Sequence, residues 1–226
     1  MRSLAHVLWV GGAPGSGKTT IAARLARRHG LRLYSADTRT WAHRDRALAA
    51  GNHAAYLWES LAPEARGDAP SEQLLAMSLH RERGPMVLDD LRALPTTLLV
   101  VAEGSTLPAS AISAGIAEPT RAVWLIPTHS FQRAQLEARR TPAGATKLYL
   151  LLADVIEREA NEHAAPTLTI NGSKGIDETT DAVEALFEDA LAEGPHAETL
   201  AERRSLLREG NEDRRSGPWL LRAPLG

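Results

Sequence analysis

Residues 12 to 19, Gly12-Ala13-Pro14-Gly15-Ser16-Gly17-Lys18-Thr19, follow the pattern G-x-x-x-x-G-K-[ST] without a mismatch. The chemistry this spacing suits is the cradling of a phosphate chain. Glycines let the backbone wrap closely and turn its N–H groups inward. A helix that starts near the lysine adds the positive end of its dipole. Lys18 then reaches the β- and γ-phosphates of a nucleotide, and the Thr19 hydroxyl ligates Mg²⁺. Thr20 completes the nucleotide-binding run. The context fits, because the apolar run Val7-Leu8-Trp9-Val10 precedes the loop and helix formers follow it.

Such a loop has to be held between a strand and a helix, and the rest of the chain reads as repeats of that pairing. Val7 to Val10 suits a central parallel strand. A helix is expected over Thr19 to His29, ended by Gly30, and a second strand over Leu31 to Ser35. Residues 38 to 62 look helical, with a break near Gly51-Asn52. Pro63 to Pro70 reads as a loop, and Ser71 to Arg83 as a helix capped by Ser71. Met86 to Asp90 resembles an apolar strand ending in acids. However, Val87, Leu91 and Leu94 fall at i, i+4 and i+7, so a helix starting near Pro85 is favoured. Leu98 to Ala102 is the expected third strand, ending at Glu103-Gly104, and Ala122 to Ile126 the fourth. Thr128 to Arg140 and Lys147 to His163 are expected helices, separated by a loop at Thr141 to Gly144. Thr167 to Ile170 is the fifth strand, and Ile176 to Ala192 the last helix of the core. Strands alternating with helices imply a parallel α/β sheet. In the tail, residues 194 to 226, Glu198 to Glu209 could form an exposed helix, while Gly217-Pro218 and Pro224 suggest irregular chain.

Composition narrows the function. The chain has 226 residues, 43% of them hydrophobic, enough for one sizeable core. A formal net charge of -2 gives no basic surplus for nucleic acid. The absence of cysteine excludes disulfides, thiolate metal sites and cysteine nucleophiles. The first residues look like a short signal peptide, but His6 breaks the apolar stretch and it runs straight into the glycine-rich loop, so it reads as a buried strand. No run approaches the roughly 18 apolar residues of a spanning helix.

With this loop near the N-terminus, short spacings and five strands, residues 5 to 192 resemble the nucleoside/nucleotide kinase-like group of P-loop small-molecule kinases. Adenylate, shikimate and gluconate kinases are members. The resemblance implies an α/β three-layer sandwich with a five-stranded parallel sheet, the P-loop NTPase fold. It also implies one kinase domain over residues 1–193, with a helical acceptor-side segment at 38–84 and a short lid at 131–146. Residues 194–226 form a tail of unassigned role.

The resemblance also suggests roles for particular residues. Asp37, just after the second strand, corresponds to an aspartate near Mg²⁺ and the acceptor hydroxyl, where it would act as base or orienting group. A helix N-cap is the alternative. Glu103, at the end of the third strand, would hold Mg²⁺ with Thr19 or bind the acceptor, with Asp89 and Asp90 as competing carboxylates. Arg39, Arg44 and Arg46 would face an anionic or polyhydroxyl acceptor, or form a solvated helix face. Trp41 and Trp58 are read as core rather than pocket. Arg133, Arg139 and Arg140 would neutralise the transferring phosphate from the lid, or lie on a charged surface. Asn171, Gly172, Ser173 and Lys174 would wrap the adenine. The GTPase base-reading motif N-K-x-D is missing there, which favours ATP over GTP.

The expected activity is ATP- and Mg²⁺-dependent phosphorylation of a hydroxyl on a small molecule: sugar-like, nucleoside-like or antibiotic. No nucleic-acid or membrane partner is expected, and the location is expected to be cytoplasmic. Two rivals stand beside it, an NTPase switch that drives a partner protein and a regulatory protein that binds ATP without turnover.

Overall fold

The computed structural model describes residues 3–96 and 99–192. The first strand, β1, spans Val7–Gly12 and is buried throughout. The chain turns through the glycine-rich loop into helix α1, Lys18–His29, then returns as β2, Arg32–Ser35. A helical layer follows: α2 (Thr40–Ala49), α3 (His53–Ser60), α4 (Pro63–Asp68), α5 (Ser71–Met77) and α6 (His80–Ala93). Then come β3 (Val100–Gly104), the short α7 (Ser110–Ser113), β4 (Ala122–Pro127), α8 (His129–Ala138) and α9 (Ala143–Glu162). The described chain ends with β5 (Thr167–Ile170), α10 (Ile176–Leu186) and α11 (Glu188–Ala192).

The five strands form one all-parallel sheet in the order β2-β3-β1-β4-β5. Strand residues alternate between two apolar cores. Val7, Trp9, Val100, Ala102 and Trp124 pack on one face with Trp58, Leu74, Leu148 and Leu152. Leu8, Val10, Val101, Val123 and Leu125 pack on the other with Ile21, Leu25, Val183 and Phe187. Burial on both faces explains why β1, β3 and β4 read as apolar runs, whereas the edge strands β2 and β5 are partly exposed and alternate. With β1 central, its loop opens between β3 and β4 at the carboxyl edge, where open parallel sheets bind ligands.

Several local expectations need correction. Residues 63 to 70 are not a loop: Pro63 opens α4, a position where its missing N–H costs nothing. Ser71 does not cap α5, because Pro70 holds the cap position and no side chain bonds there. The helix expected over Ser71 to Arg83 is two helices. Leu79, with φ of 56, turns the chain between them while its side chain is buried against Ala47 and Ala55. Pro85 lies inside α6 rather than at its start; buried His80, Arg83, Val87 and Leu91 anchor that helix on both sides of the proline. Met86 to Asp90 is helical, as expected. Thr141 to Gly144 is only partly a loop, because α9 begins at Ala143. The last helix breaks at Phe187, which is fully buried. Leu98 and the tail expectations at 194–226 lie outside the described residues. Among the described residues no helix is long and apolar enough to cross a membrane.

The helical layer is locked to α9 by backbone contact. A Cβ on Gly144 would lie 2.5 Å from the Gly67 Cα, and Lys147 Nζ donates to the Ala69 carbonyl at 2.7 Å. Gly144→Ala must therefore push α4 and α9 apart. The expected cost is roughly 1–3 kcal/mol, as for other overpacked contacts. That is a fall in Tm of about 2–4 °C for each kcal/mol in a chain of this size. Thermal denaturation of the variant checks this, and an unchanged Tm would contradict the contact.

Candidate functional site

Three strand ends and one helix start meet at the glycine-rich loop. Gly17 takes the left-handed conformation at the N-cap of α1, so Lys18 is the first helical residue. The first-turn N–H groups of Lys18, Thr19 and Thr20 have no intrahelical partner, as at any helix start, and offer donors to an anion. Gly12 pairs beside Leu125 of β4, and the Ala13 N–H donates to the Leu125 carbonyl at 3.3 Å, which anchors the loop on its β4 side. Gly15 has φ of +86, and Ser16 is buried.

Lys18 is only 6% exposed, and its Nζ lies 3.1 Å from Asp37 Oδ2. Asp37 stands in a short 3₁₀ turn, Asp37–Arg39, directly after β2. Its other oxygen accepts from the Ser105 N–H at 3.1 Å and the Ser105 hydroxyl at 2.9 Å. The carboxylate is thus engaged with the lysine and with the loop after β3, while Arg39 takes the N-cap position of α2 without a side-chain bond. Gly104 permits this approach, because a Cβ there would sit 2.7 Å from the Ala36 Cβ.

Glu103 faces Val10 across β1–β3 and Ser35 across β2–β3, and is fully buried. Thr19 donates its hydroxyl to Glu103 Oε2 at 2.9 Å, and Ser35 donates to Oε1. A threonine hydroxyl beside a carboxylate is a pair of hard oxygen donors, the type Mg²⁺ takes alongside phosphate and water.

One ammonium serves two carboxylates. Burial pulls the Lys18 pKa down, but Asp37 and Glu103 more than offset it, and the net shift is upward. Burial raises Asp37, yet Lys18, Arg83 and the Ser105 N–H outweigh it and hold the pKa at about 2. For Glu103 the balance reverses. Burial and the neighbouring Asp37 charge push it up, and Lys18, Ser35 and Thr19 only partly compensate. Glu103 is therefore the less well compensated of the two carboxylates.

Other expected residues fall nearby or elsewhere. The Gly172, Ser173 and Lys174 loop is exposed; Gly172 lies against the Phe131 ring, and Ser173 donates to Asn171 Oδ1. Ile176, just past that loop, packs at Gly17, which puts the loop beside the glycine-rich turn. Arg39 is half-buried, with Nε 3.6 Å from Asp90 Oδ2. Arg44 is not on a solvated face. It is 2% exposed, sits 4.1 Å over the Trp58 ring and donates to the Met77 carbonyl at 2.7 Å. Arg46 reaches Asp89 and Asp90. Asp89 and Asp90 lie on α6, away from the strand end that Glu103 occupies. Trp58 is fully buried and Trp41 packs at 5.5 Å from it, as expected for core. Arg133, Arg139 and Arg140 are exposed, on and just after α8.

Three further contributors were not among the expected site residues. Gln132, fully buried on α8, donates through Nε2 to both the Pro14 carbonyl (2.8 Å) and the Tyr149 carbonyl (3.0 Å). It ties the glycine-rich loop to α9. Tyr149 lies in the same field: burial and Asp37 raise its phenol pKa, while Lys18 and Arg139 lower it. Ser105 completes the Asp37 cradle. Ser105 had a signal, its place directly after the Glu103-Gly104 strand end. Gln132 and Tyr149 had none, because one polar residue on a helix is indistinguishable from a solvated one.

No protein-family model matches this chain, and no curated protein matches its sequence.

The Asp37 shift sets a pH dependence of stability. A carboxylate whose folded pKa is depressed contributes stability that is fully present above its unfolded pKa, about 4, and lost as pH falls through its folded value. For Asp37 that window runs from about 4 down to about 2. The stability difference between the wild type and Asp37→Asn should therefore shrink across that range. Urea unfolding at a series of pH values measures it. A difference that stays constant from pH 5 to pH 2 would contradict the Lys18–Asp37 pairing.

Proposed function

We propose that this chain is an ATP- and Mg²⁺-dependent phosphotransferase of the P-loop NTPase fold that phosphorylates a hydroxyl group of a small molecule. The observation that carries the reading is the convergence of Lys18, the Thr19–Glu103 pair and Asp37 at the carboxyl ends of β1, β2 and β3. A phosphate cradle alone would serve any nucleotide binder. A carboxylate facing the cradle lysine adds the group that an attacking hydroxyl needs.

In this reading Lys18 exchanges its Asp37 partner for the β- and γ-phosphate oxygens when nucleotide enters. The N–H groups of residues 15 to 20 cradle the phosphates, and the Gly172, Ser173 and Lys174 loop borders the base. Thr19 and Glu103 hold Mg²⁺, which when bound neutralises charge on the phosphate oxygens. Asp37, released from Lys18, accepts a hydrogen bond from the acceptor hydroxyl. The acceptor oxygen forms its bond to the γ-phosphorus as the bond to the bridging β–γ oxygen breaks. ADP leaves with that oxygen, and the hydroxyl proton passes to Asp37. In a loose transition state the proton moves late, so orienting the oxygen matters more than strong basicity.

The helical layer at 38–84 would wall the acceptor, with Arg39 nearest the Asp37 turn. Arg133, Arg139 and Arg140, exposed on and just after α8, would supply the charge that neutralises the transferring phosphate. A cytoplasmic location, where ATP is abundant, belongs to the same reading.

The test is incubation with γ-labelled ATP and Mg²⁺ over panels of sugars, nucleosides and hydroxyl-bearing antibiotics, followed by separation of labelled products. Lys18→Ala should lose on the order of 10²-fold or more in transfer, as expected for one transition-state charge contact. Asp37→Asn should keep ATP affinity and lose most transfer. Label recovered only as inorganic phosphate, with release stimulated by a macromolecule, would replace the kinase reading with the NTPase switch.

A further inference from the structure

Lys18 and Ser105 hold Asp37 from the side of the cradle. A second support arrives from the helical layer, through the backbone. Arg83 of α6 is 6% exposed, and its Nη2 donates to the Ala36 carbonyl at 2.5 Å, the peptide unit that leads into Asp37. Its Nε points the other way, toward His43 Nδ1 on α2 at 3.3 Å. A ring nitrogen that accepts from a guanidinium carries no proton, so the His43 proton is on Nε2. That nitrogen lies 2.9 Å from Asp90 Oδ2 and donates to it. Asp90 is fixed in turn by the Tyr34 hydroxyl at 2.9 Å, with Arg46 at 3.3 Å and Arg39 at 3.6 Å. His43 is 1% exposed and Ala36 is fully buried, so water has little part in the chain.

We infer that Arg83 is a positioning residue for Asp37, and that His43 and Asp90 orient Arg83 for that task. The inference rests on the role of Asp37 proposed above. Each link uses a directional property of its side chain. The guanidinium donates to Ala36 and to His43 from two separate nitrogens of one planar fork, whereas a lysine would have to reach both acceptors from one nitrogen. His43 accepts from Arg83 through Nδ1 and donates to Asp90 through Nε2 from opposite sides of one rigid ring, a geometry that a flexible glutamine amide reproduces only in part. A buried guanidinium is costly to desolvate, and an apolar side chain of similar volume could fill the same space. What the arginine adds is a fixed Ala36 carbonyl, hence a fixed start to the turn that aims Asp37 at Lys18. The helical layer on the acceptor side thereby sets the geometry of the carboxylate that meets the acceptor. Arg39 joins that layer's acceptor-facing turn to the same Asp90.

The Ser105 amide reports on this directly, because its N–H donates to Asp37 Oδ1. Amide hydrogen exchange is compared in the wild type, Arg83→Met, Arg83→Lys, His43→Gln and the double variant R83M/H43Q. Val101, in the middle of β3, is the control for global opening. Single-turnover hydrolysis of Mg-ATP, with water as acceptor, is read on the same proteins together with nucleotide affinity. The expected result is Ser105 exchange faster by roughly tenfold in R83M and several-fold in H43Q, with Val101 unchanged and a partial effect in R83K. The double variant should be no worse than R83M alone, since His43 acts through Arg83. Hydrolysis should fall in the same order while ATP affinity stays within about twofold. Unchanged Ser105 protection in R83M, or effects of R83M and H43Q that simply add, would overturn the inference. If R83M does not fold, R83K and H43Q carry the same comparison. A wild type that binds no ATP would sink the phosphotransferase reading while leaving the Ser105 comparison to decide whether Arg83 holds Asp37.

Discussion

A lysine ammonium with almost no access to water must have a counter-charge, and the site is organised by how Lys18 finds one. Asp37 supplies it at 3.1 Å, from a different strand end and a turn that must be held in place. Glu103 adds a second negative charge in the same field, buried on the strand next to the cradle. The pairing with Asp37 gives the Lys18 ammonium a partner where water reaches little of it. In the proposed reading, nucleotide would give the same ammonium a better partner and leave the carboxylates for metal and acceptor. Binding and chemistry would then be coupled by competition for the Lys18 charge.

Much of the remaining structure serves that geometry. Parallel register brings Val10, Glu103 and Ser35 level, so that the strands present their ends together. Gly104 lets the β2 turn close onto β3. Gln132 bridges the Pro14 and Tyr149 carbonyls and so sets the distance between the glycine-rich loop and α9. Gly67 and Gly144 bring α4 and α9 into backbone contact, so motion of the 131–146 segment would carry α4 with it unless the chain flexes between α8 and α9. A lid at 131–146, as proposed, would accordingly be a movement of helices already packed on the α2–α6 layer.

The parts of the site legible in the sequence were those fixed by short-range chemistry. The glycine pattern, the apolar run before it and the acid at the end of an apolar strand each need only neighbouring residues to be recognised. The fifth strand and the helical character of Met86 to Asp90 followed from periodicity in the same way. Long-range requirements were hidden. Arg44 and Arg66 are charged, and charged side chains are expected in water; both are buried because the Trp58 ring accepts them on its faces at 4.1 and 3.7 Å. The helix at 63 to 68 looked like a loop because its stability comes from packing on α9 rather than from propensity. Leu79 gave no sign of left-handed backbone, since a leucine tolerates it only where a core holds the side chain. Arg83 and His43 were concealed for the same reason: their roles exist only once α2, α6 and β2 are brought together.

The most direct test of the account is calorimetric titration of the wild-type protein with ATP, in the presence and absence of Mg²⁺. If Lys18, Thr19 and Glu103 form a metal-assisted phosphate site, one ATP should bind per chain. Binding should tighten by about tenfold or more with Mg²⁺, because the cation would be shared by the phosphate oxygens, the Thr19 hydroxyl and the Glu103 carboxylate. Failure to bind ATP at millimolar concentration with Mg²⁺ present, or an affinity indifferent to the metal, would contradict the claim that this convergence of side chains is a nucleotide site.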